Sequence, residues 1–299
     1  MSWMLENDSG QSYGARLRGL IDSGKTLSVP GVHNPLTGMI ARRVGFDALY
    51  FSGAAFSASL GIPDIGLFTL DELTQALRWM VKASNMPFIV DADTGFGEAL
   101  NVVRTVKDLE DAGAAAIQIE DQVLPKRCGH LDGKTVVSPE AFAEKIAAAV
   151  GARKDTLIIA RTDVRAIEGM ESAIKRGIMC REAGADIIFP EAMQSEEEFR
   201  TYAEAVGGTM LANMTEFGKT PYLSADQFRD LGYQIVIFPV TTLRVANKIT
   251  EELLIDIKNK GTQVDWLERM QTRRELYDLI DYERYQEIDA DLSFDKKPK

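Results

Sequence analysis

The strongest constraint on the fold is a repeated alternation between short apolar runs and longer amphipathic stretches. Eight runs have the length of a strand, at 27–30, 48–52, 88–91, 115–120, 157–161, 187–190, 209–213 and 235–239. Helical spacing of apolar residues predicts helices over 11–24, 99–112 and 140–150. The apolar face predicted for 99–112 consists of Leu100, Val103, Val106 and Leu109. This alternation is typical of βα units around a parallel sheet.

Eight βα units predict an α/β protein with a closed (β/α)8, TIM-type barrel over about residues 25–245. The alternative is a doubly wound open sheet, which usually carries a glycine-rich phosphate loop after its first strand; neither GxGxxG nor GxxxxGK[ST] occurs here. We therefore expect a single barrel domain over 1–299, with a helical extension over about 245–288 and a disordered tail at 289–299. The extension either folds back on its own barrel or packs on a neighbouring subunit.

Composition narrows the class of protein. The formal net charge of −11 disfavours a nucleic-acid partner, because an acidic chain repels a phosphate backbone. No run approaches the roughly 18 apolar residues needed to cross a membrane, and the acidic N-terminal segment does not resemble a signal peptide. Two isolated cysteines, Cys128 and Cys180, do not make a disulfide framework. The expectation is a cytoplasmic enzyme with neither a nucleic-acid nor a membrane partner.

Polar side chains follow six of the predicted strands, at the point where each strand ends. In a barrel these carboxyl ends share one face, which is where the active sites of this fold lie. The residues that the pattern places there are Ser52, Gly53, Asp91, Asp93, Glu120, Asp121, Arg161, Thr162, Asp163, Glu191, Asn213, Thr215 and Glu216.

Three of the strand-end acids lie at the ends of two neighbouring runs, 88–91 and 115–120. The mouth of the barrel, meaning the opening at the carboxyl ends of its strands, would then hold Asp91, Asp93 and Glu120 close together. Their carboxylates would repel one another unless a cation joined them, and Mg²⁺ suits such a set of oxygen ligands. The alternative for Asp93 is that it caps the following helix, with DTGFG as a turn.

The run KRCGH at 126–130 contains one of the two cysteines and one of the two histidines. Cys-x-His without a second such pair is a weak zinc signal. Positive neighbours lower the pKa of a thiol, so Cys128 is expected to exchange protons as a general acid, with a nucleophilic role left open. Cys180, in a helical stretch, is expected to be a core thiol.

Guanidinium groups and a mobile segment complete the predicted mouth. Arg161, Arg244 and Arg273 are candidates for binding carboxylates in bidentate fashion. The small-residue segment 52–68, which contains Asp64, is predicted to be a loop that gates the mouth.

These motifs resemble the isocitrate lyase/phosphoenolpyruvate mutase superfamily over residues 12–288. The specific signature is KRCGH at 126–130, preceded by IEDQ at 119–122. The other landmarks, in order, are SGAA at 52–55, GIPDIG at 61–66, DADTGFG at 91–97, ARTD at 160–163, FPEA at 189–192, LANMTEFGKTP at 211–221 and MQTRRELY at 270–277.

The resemblance implies a (β/α)8 barrel whose last helix is exchanged between subunits of a homotetramer. It also implies Mg²⁺ and cleavage of a small-molecule tricarboxylate, (2S,3R)-2-methylisocitrate, to pyruvate and succinate. The alternatives are 2,3-dimethylmalate, another 2-alkylmalate, or isocitrate, although isocitrate lyases are much longer chains.

The resemblance also implies roles for individual residues. Asp91 would coordinate Mg²⁺ with Asp93, Glu120 and Asp64. The catalytic set would be Cys128 as proton donor, with Lys126, His130 and Glu120. Substrate carboxylates would be held by Ser52, Gly53, Ala54, Gly129, His130, Arg161, Glu191, Asn213, Thr215, Arg244 and Arg273. The general base is left unassigned.

Overall fold

The computed structural model describes residues 10–131 and 133–292 and contains all eight predicted strands. They are β1 (Leu27–Pro30), β2 (Leu49–Phe51), β3 (Phe88–Asp91), β4 (Ala114–Glu120), β5 (Leu157–Thr162), β6 (Ile187–Pro190), β7 (Thr209–Asn213) and β8 (Ile235–Phe238). Each end of each strand lies within one residue of the predicted bound. The apolar runs were sufficient to find them because every strand is largely buried.

The strands form one parallel sheet that closes on itself. Their order is β1-β8-β7-β6-β5-β4-β3-β2, and Gly31, directly after β1, forms a parallel bridge with Tyr50 of β2. The Val32 N–H donates to the Tyr50 carbonyl oxygen at 3.0 Å. A Cβ at Gly31 would lie 2.0 Å from the Pro239 carbonyl oxygen, so glycine is required at this closure. The predicted barrel is confirmed over the open sheet.

Helices follow the strands around the barrel. They are α1 (Tyr13–Asp22), α2 (Pro35–Val44), α3 (Gly53–Ser59), α4 (Leu70–Ser84), α5 (Ala99–Asp111), α6 (Pro139–Ala152), α7 (Arg165–Glu168), α8 (Met170–Glu182), α9 (Glu196–Val206), α10 (Ala225–Asp230), α11 (Thr241–Lys260), α12 (Arg273–Leu279) and α13 (Tyr282–Leu292). A 3₁₀ helix covers Val264–Arg269. Within the described residues, no helix combines the length and the apolar character that a membrane span requires.

The apolar core has two layers because successive strand residues point to opposite faces of the sheet. One buried cluster includes Val29, Ile159 and Phe189, which face the barrel interior together with Leu17 of α1. The other includes neighbours such as Ile158, which face the surrounding helices. Both layers are almost completely inaccessible, so the strand ends are held in a rigid frame.

One predicted helix face is wrong. Helix α5 buries Val102, Thr105, Val106 and Leu109, whereas Leu100 is 85% exposed. The buried face repeats at i, i+3, i+4 and i+7 from Val102, and Leu100 falls outside that phase.

The described chain divides into two compact units, Gly10–Leu243 and a C-terminal unit that begins at Arg244. The predicted helix over 264–288 is interrupted, since Thr272 caps α12 and Asp281, with a φ of 58°, separates α12 from α13. Helix α13 runs to Leu292, so the first four residues of the predicted disordered tail are helical. Residues 293–299 lie outside the described residues.

Candidate active site

The carboxyl ends of the strands bring most of the predicted site residues into one network of contacts. It is buried and highly charged, and its members come from β2 to β7 and from the segment after β4. The predicted residues that this network joins are Gly53, Asp64, Asp91, Asp93, Glu120, Lys126, Gly129, His130, Arg161, Glu191 and Asn213.

Asp91, at the end of β3, is fixed by donors on both of its oxygens. Oδ2 accepts the Gly53 N–H at 3.1 Å, and Oδ1 accepts the Asp93 N–H at 3.2 Å and the Gln118 side-chain amide at 3.0 Å. The Tyr50 hydroxyl donates to the other end of the Gln118 amide at 2.8 Å, which orients that amide. These donors fix the orientation of the Asp91 carboxylate.

A buried lysine lies among the acids. The Lys126 ammonium is 2.6 Å from a carboxylate oxygen of Asp64 and 2.6 Å from one of Asp93. Burial opposes its charge, but the carboxylates of Asp93, Glu120, Asp91 and Asp64 raise the pKa of Lys126 well above its usual value. The ammonium thus supplies the positive charge that keeps these acids together.

Four carboxylate oxygens of this group are buried and lack a hydrogen-bond partner among the described residues. Oδ1 of Asp64 and Oδ1 of Asp93 contact the Lys126 ammonium, whereas Oδ2 of Asp93 and Oε1 of Glu120 do not. Burial raises the pKa of Asp93 to about 7; the Lys126 charge opposes this, while Asp91 and Asp64 add to it. The pKa of Glu120 is also raised, mainly by burial and against the pull of Arg161. Buried oxygens without donors are costly, so this side of the mouth favours an additional cation.

The predicted Mg²⁺ ligands, Asp91, Asp93, Asp64 and Glu120, stay a prediction. No group of three or more His, Cys, Asp or Glu side chains is placed in the described residues as a set of direct metal ligands. Lys126 lies between Asp64 and Asp93, and Asp91 is already engaged by backbone and amide donors. The alternative for Asp93, a helix cap, is wrong, since the residue that precedes α5 is Glu98 and Asp93 has a φ of 48°.

The other side of the mouth is organised by Arg161 at the end of β5. Its guanidinium donates to both oxygens of Asp163, at 3.0 and 3.2 Å, and contacts Glu191 at 3.2 Å and Glu120 at 3.4 Å. Glu191 also accepts the Ala192 N–H at 2.8 Å and the Asn213 amide at 3.2 Å. Despite complete burial, the Arg161 charge and the neighbouring His130 lower the pKa of Glu191 to about 2. This side of the mouth is a preformed and electrically balanced network.

The segment after β4 that carries Cys128, residues 121–131, contacts both the acids and the arginine network of the mouth. Lys126 reaches the acids, and the backbone at Gly129 lies directly on the arginine network, where a Cβ would be 2.3 Å from Glu191 and 2.7 Å from Arg161. Lys134 tethers the segment, because its ammonium donates to the Gly129 carbonyl oxygen and, at 3.1 Å, to Asp163. Glycine between Cys128 and His130 is thus a requirement of close approach.

The two cysteines differ in the way the sequence predicted. Cys128 is exposed in this segment, whereas Cys180 is buried in α8. Burial, reinforced by the Asp121 carboxylate, raises the pKa of the Cys180 thiol to about 12. Of the two cysteines, only Cys128 is accessible to solvent.

The remaining predicted residues have other roles or positions. Ser52 caps α3, and the predicted gate loop 52–68 therefore begins with a helix. Ala54 is half-buried in α3, beside Ala55, Val240 and Leu243. Thr215 is buried in the segment after β7. Arg244 and Arg273 belong to the C-terminal unit, where Arg273 begins α12.

Sequence reasoning missed three residues that shape the site. Tyr50 and Gln118 lie inside predicted strands, where an inward polar residue in an apolar run is the available signal. Lys134, which holds the segment that carries Cys128, had no spacing signal of its own. Asp163, the partner of Arg161, was placed at a strand end but was given no role.

Comparison with known proteins matches this architecture to one family. A family model described as phosphoenolpyruvate phosphomutase matches residues 17–258. The 2-methylisocitrate lyase of Aeropyrum pernix is 58% identical over 280 residues, which cover 94% of this chain and 91% of that protein. The chain belongs to the phosphoenolpyruvate mutase/isocitrate lyase superfamily. The 2-methylisocitrate lyase of Bacillus subtilis is 47% identical over 294 residues, or 98% of each chain.

Solved structures of the superfamily share the fold. A 2,3-dimethylmalate lyase has a TM-score of 0.88 at 34% identity, covering 97% of this chain and 99% of that chain. A phosphonopyruvate hydrolase in complex with oxalate and Mg²⁺ has a TM-score of 0.85 at 29% identity, covering 94% and 99%. The resemblance found in the motifs is confirmed, and the chain is an oxo-acid lyase of this superfamily.

Proposed function

We propose that the chain is a Mg²⁺-dependent lyase that cleaves (2S,3R)-2-methylisocitrate to pyruvate and succinate in propionate breakdown, with the Cys128 thiol as general acid. The observation that carries the proposal is that an acid pocket and an arginine network meet at one mouth beneath an exposed cysteine. The names of the relatives from Aeropyrum pernix and Bacillus subtilis support the choice of substrate.

The donor set fits Mg²⁺ held through few carboxylates and several waters, which is how this ion usually binds. Asp93 and Glu120, each with a buried oxygen that has no hydrogen-bond partner in the described chain, would hold it together with Asp91. Asp64 would contribute from the gate segment. When bound, Mg²⁺ supplies Lewis-acid polarisation of the substrate hydroxyl and the adjoining carboxylate.

The side chains of the mouth divide the remaining work. The Arg161 guanidinium and the Asn213 amide bind and orient carboxylates of the substrate. A base takes the proton of the substrate hydroxyl, the carbon–carbon bond breaks, and its electron pair remains on the succinate portion as a carbanion. Cys128 donates its proton to that carbon, and the thiolate regains a proton from solvent before the next turnover.

Lys126 and the segment that carries Cys128 exclude water from the reacting carbon. Lys126 anchors this segment to Asp64 and Asp93, and Gly129 seats it on Glu191 and Arg161. A carbanion is protonated readily by water. Because this segment excludes water, the proton comes from Cys128 and reaches one face of the carbanion.

We also propose a cytoplasmic homotetramer with exchanged C-terminal helices. Helix α11 supports the assembly, because Leu243 is the buried residue of its twenty while several large apolar side chains remain exposed. They are Val245, Ile249, Leu254, Ile255 and Ile257. Light scattering after size-exclusion chromatography should give four times the 33.0 kDa chain mass; a monomer would contradict the assembly.

The substrate assignment is tested by kcat/KM on 2-methylisocitrate, isocitrate and 2,3-dimethylmalate. We expect 2-methylisocitrate to be preferred, turnover to stop in EDTA, and Mg²⁺ to restore it. A preference of about tenfold for 2,3-dimethylmalate, equivalent to about 1.4 kcal/mol in transition-state binding, would overturn the assignment.

A further inference from the structure

The imidazole of His130 is clamped by the segment after β7, residues 214–223. The Lys219 backbone N–H donates to Nδ1 of His130 at 3.0 Å, although the two residues are 89 positions apart. Gly218 lies against the same ring, where a Cβ would be 2.7 Å from Nδ1 and 2.8 Å from Cε1. The His130 side chain is only 7% exposed. The ring is therefore held by a main-chain donor and a residue without a side chain.

This contact determines where the ring proton lies. A nitrogen that accepts a hydrogen bond carries its lone pair there, so the proton of the neutral ring is on Nε2. Nε2 lies 3.3 Å from an oxygen of Glu191, but among the described residues it has no partner in hydrogen-bonding geometry. An N–H donor thus lies beside Glu191, whose other oxygen contacts Arg161.

We propose that the 214–223 segment positions His130 as a neutral hydrogen-bond donor to the substrate, with the proton on Nε2, through the Lys219 N–H and the space left by Gly218. This rests on the proposed function, because the acceptor is a carboxylate oxygen of the tricarboxylate. Glu191, which lies 3.3 Å from Nε2, also contacts Arg161 on the balanced side of the mouth.

The proposal separates His130 from proton transfer. A general base needs a ring nitrogen whose lone pair points at the proton it removes. The one lone pair of the neutral ring is occupied by the Lys219 N–H, so His130 cannot receive the proton of Cys128 or of the substrate hydroxyl without breaking that contact. His130 is a positioning and binding residue that touches substrate through Nε2.

The direct experiment is ¹⁵N NMR of the full-length protein labelled at histidine, at neutral pH and without substrate. The chain has two histidines, so the signals that remain in the spectrum of a His33→Gln variant are those of His130. We expect His130 to show the shift pattern of a neutral ring with the proton on Nε2. An imidazolium pattern, or a proton on Nδ1, would overturn the proposal. This result does not depend on which substrate is cleaved.

Two matched pairs of variants test the clamp. Lys219→Pro removes the N–H, whereas Lys219→Ala keeps it. Gly218→Ala adds a methyl against the ring, whereas Gly19→Ala adds one in open space on α1. Lys219→Pro and Gly218→Ala should lose the single-tautomer pattern and raise KM about tenfold, as loss of one hydrogen bond to a charged group predicts. Gly19→Ala should match the wild type, and Lys219→Ala should keep the Nε2 tautomer because its N–H remains.

The outcomes remain decisive if a variant is poorly folded, because the wild-type spectrum alone can contradict the proposal. An unchanged tautomer in folded Lys219→Pro would overturn the role of the main-chain donor. If the wild type shows the expected tautomer but does not cleave 2-methylisocitrate, the proposed function fails and the assignment of the tautomer stands.

Discussion

The two sides of the mouth solve the problem of buried charge differently. On the acid side, which consists of Asp64, Asp91 and Asp93, the Lys126 ammonium pairs with two of the acids. A carboxylate oxygen of Asp93 still has no donor in the described chain. The arginine side, Arg161 and Glu191, satisfies its charges with neighbouring side chains and backbone. The pKa of Asp93 is raised to about 7, mainly by burial, whereas that of Glu191 is lowered to about 2 against burial.

This difference indicates separate roles for the two sides. A group of acids that lacks compensation gains stability from any cation that enters, so its geometry depends on a ligand. A balanced pair is preorganised and costs no reorganisation when a charged substrate arrives. Glu120 links the sides, since one of its oxygens contacts Arg161 and the other lacks a donor in the described chain.

The sharpest way to break the comparison is to neutralise one carboxylate on each side. Asp93→Asn should abolish measurable Mg²⁺ binding in titration calorimetry and lower kcat/KM by about 10³-fold, because an oriented charge is lost from the mouth. Glu191→Gln should leave Mg²⁺ affinity within a few-fold. Equal losses of Mg²⁺ binding in both variants would show that the two sides do not differ in this way.

Acid unfolding sharpens the description of the arginine side. The pKa of Glu191 is about 2 in the folded chain and about 4.3 when unfolded, so its ionisation stabilises the fold above the unfolded value and is lost as pH falls from about 4 to 2. The expected contribution is about 3 kcal/mol. Urea unfolding at pH 7 and pH 3 should show a smaller pH effect in Glu191→Gln than in wild type. An identical pH dependence would contradict the lowered pKa.

A smaller effect is expected where the Cys128 segment is tethered to the arginine side. Lys134→Met removes the donor to the Gly129 carbonyl oxygen, and loss of one hydrogen bond of about 1 kcal/mol should speed alkylation of Cys128 about fivefold. Cys180 is the internal control, since it is buried and its pKa is raised to about 12. Mass spectrometry of each cysteine peptide measures both rates. Equal rates of Cys128 alkylation in the wild type and in Lys134→Met would show that Lys134 does not hold this segment in place.

The sequence predicted the strands of the barrel better than the contacts among the side chains of the candidate active site. All eight strands were found because buried runs leave a composition signal, and Asp91, Glu120 and Arg161 were placed correctly at the strand ends. The phase of α5 failed at Leu100, since apolar spacing alone allowed a neighbouring face.

The role of Lys126 as an ion-pair partner could not be predicted, because its acids, Asp64 and Asp93, lie on other segments. The contact that holds the His130 ring could not be predicted from the KRCGH motif either, since its donor is a backbone group 89 residues away. Contacts between distant segments depend on the fold rather than on local spacing.

The central claim is that Cys128 delivers the proton to the carbanion formed by cleavage. The most direct measurement compares turnover of 2-methylisocitrate by the wild type and by Cys128→Ser, with Cys180→Ser as the matched control and substrate binding measured separately. We predict that Cys128→Ser binds substrate within a few-fold of wild type but loses about 10² to 10⁴-fold in kcat, as removal of a general acid requires. Turnover by Cys128→Ser equal to that of the wild type would contradict the assignment.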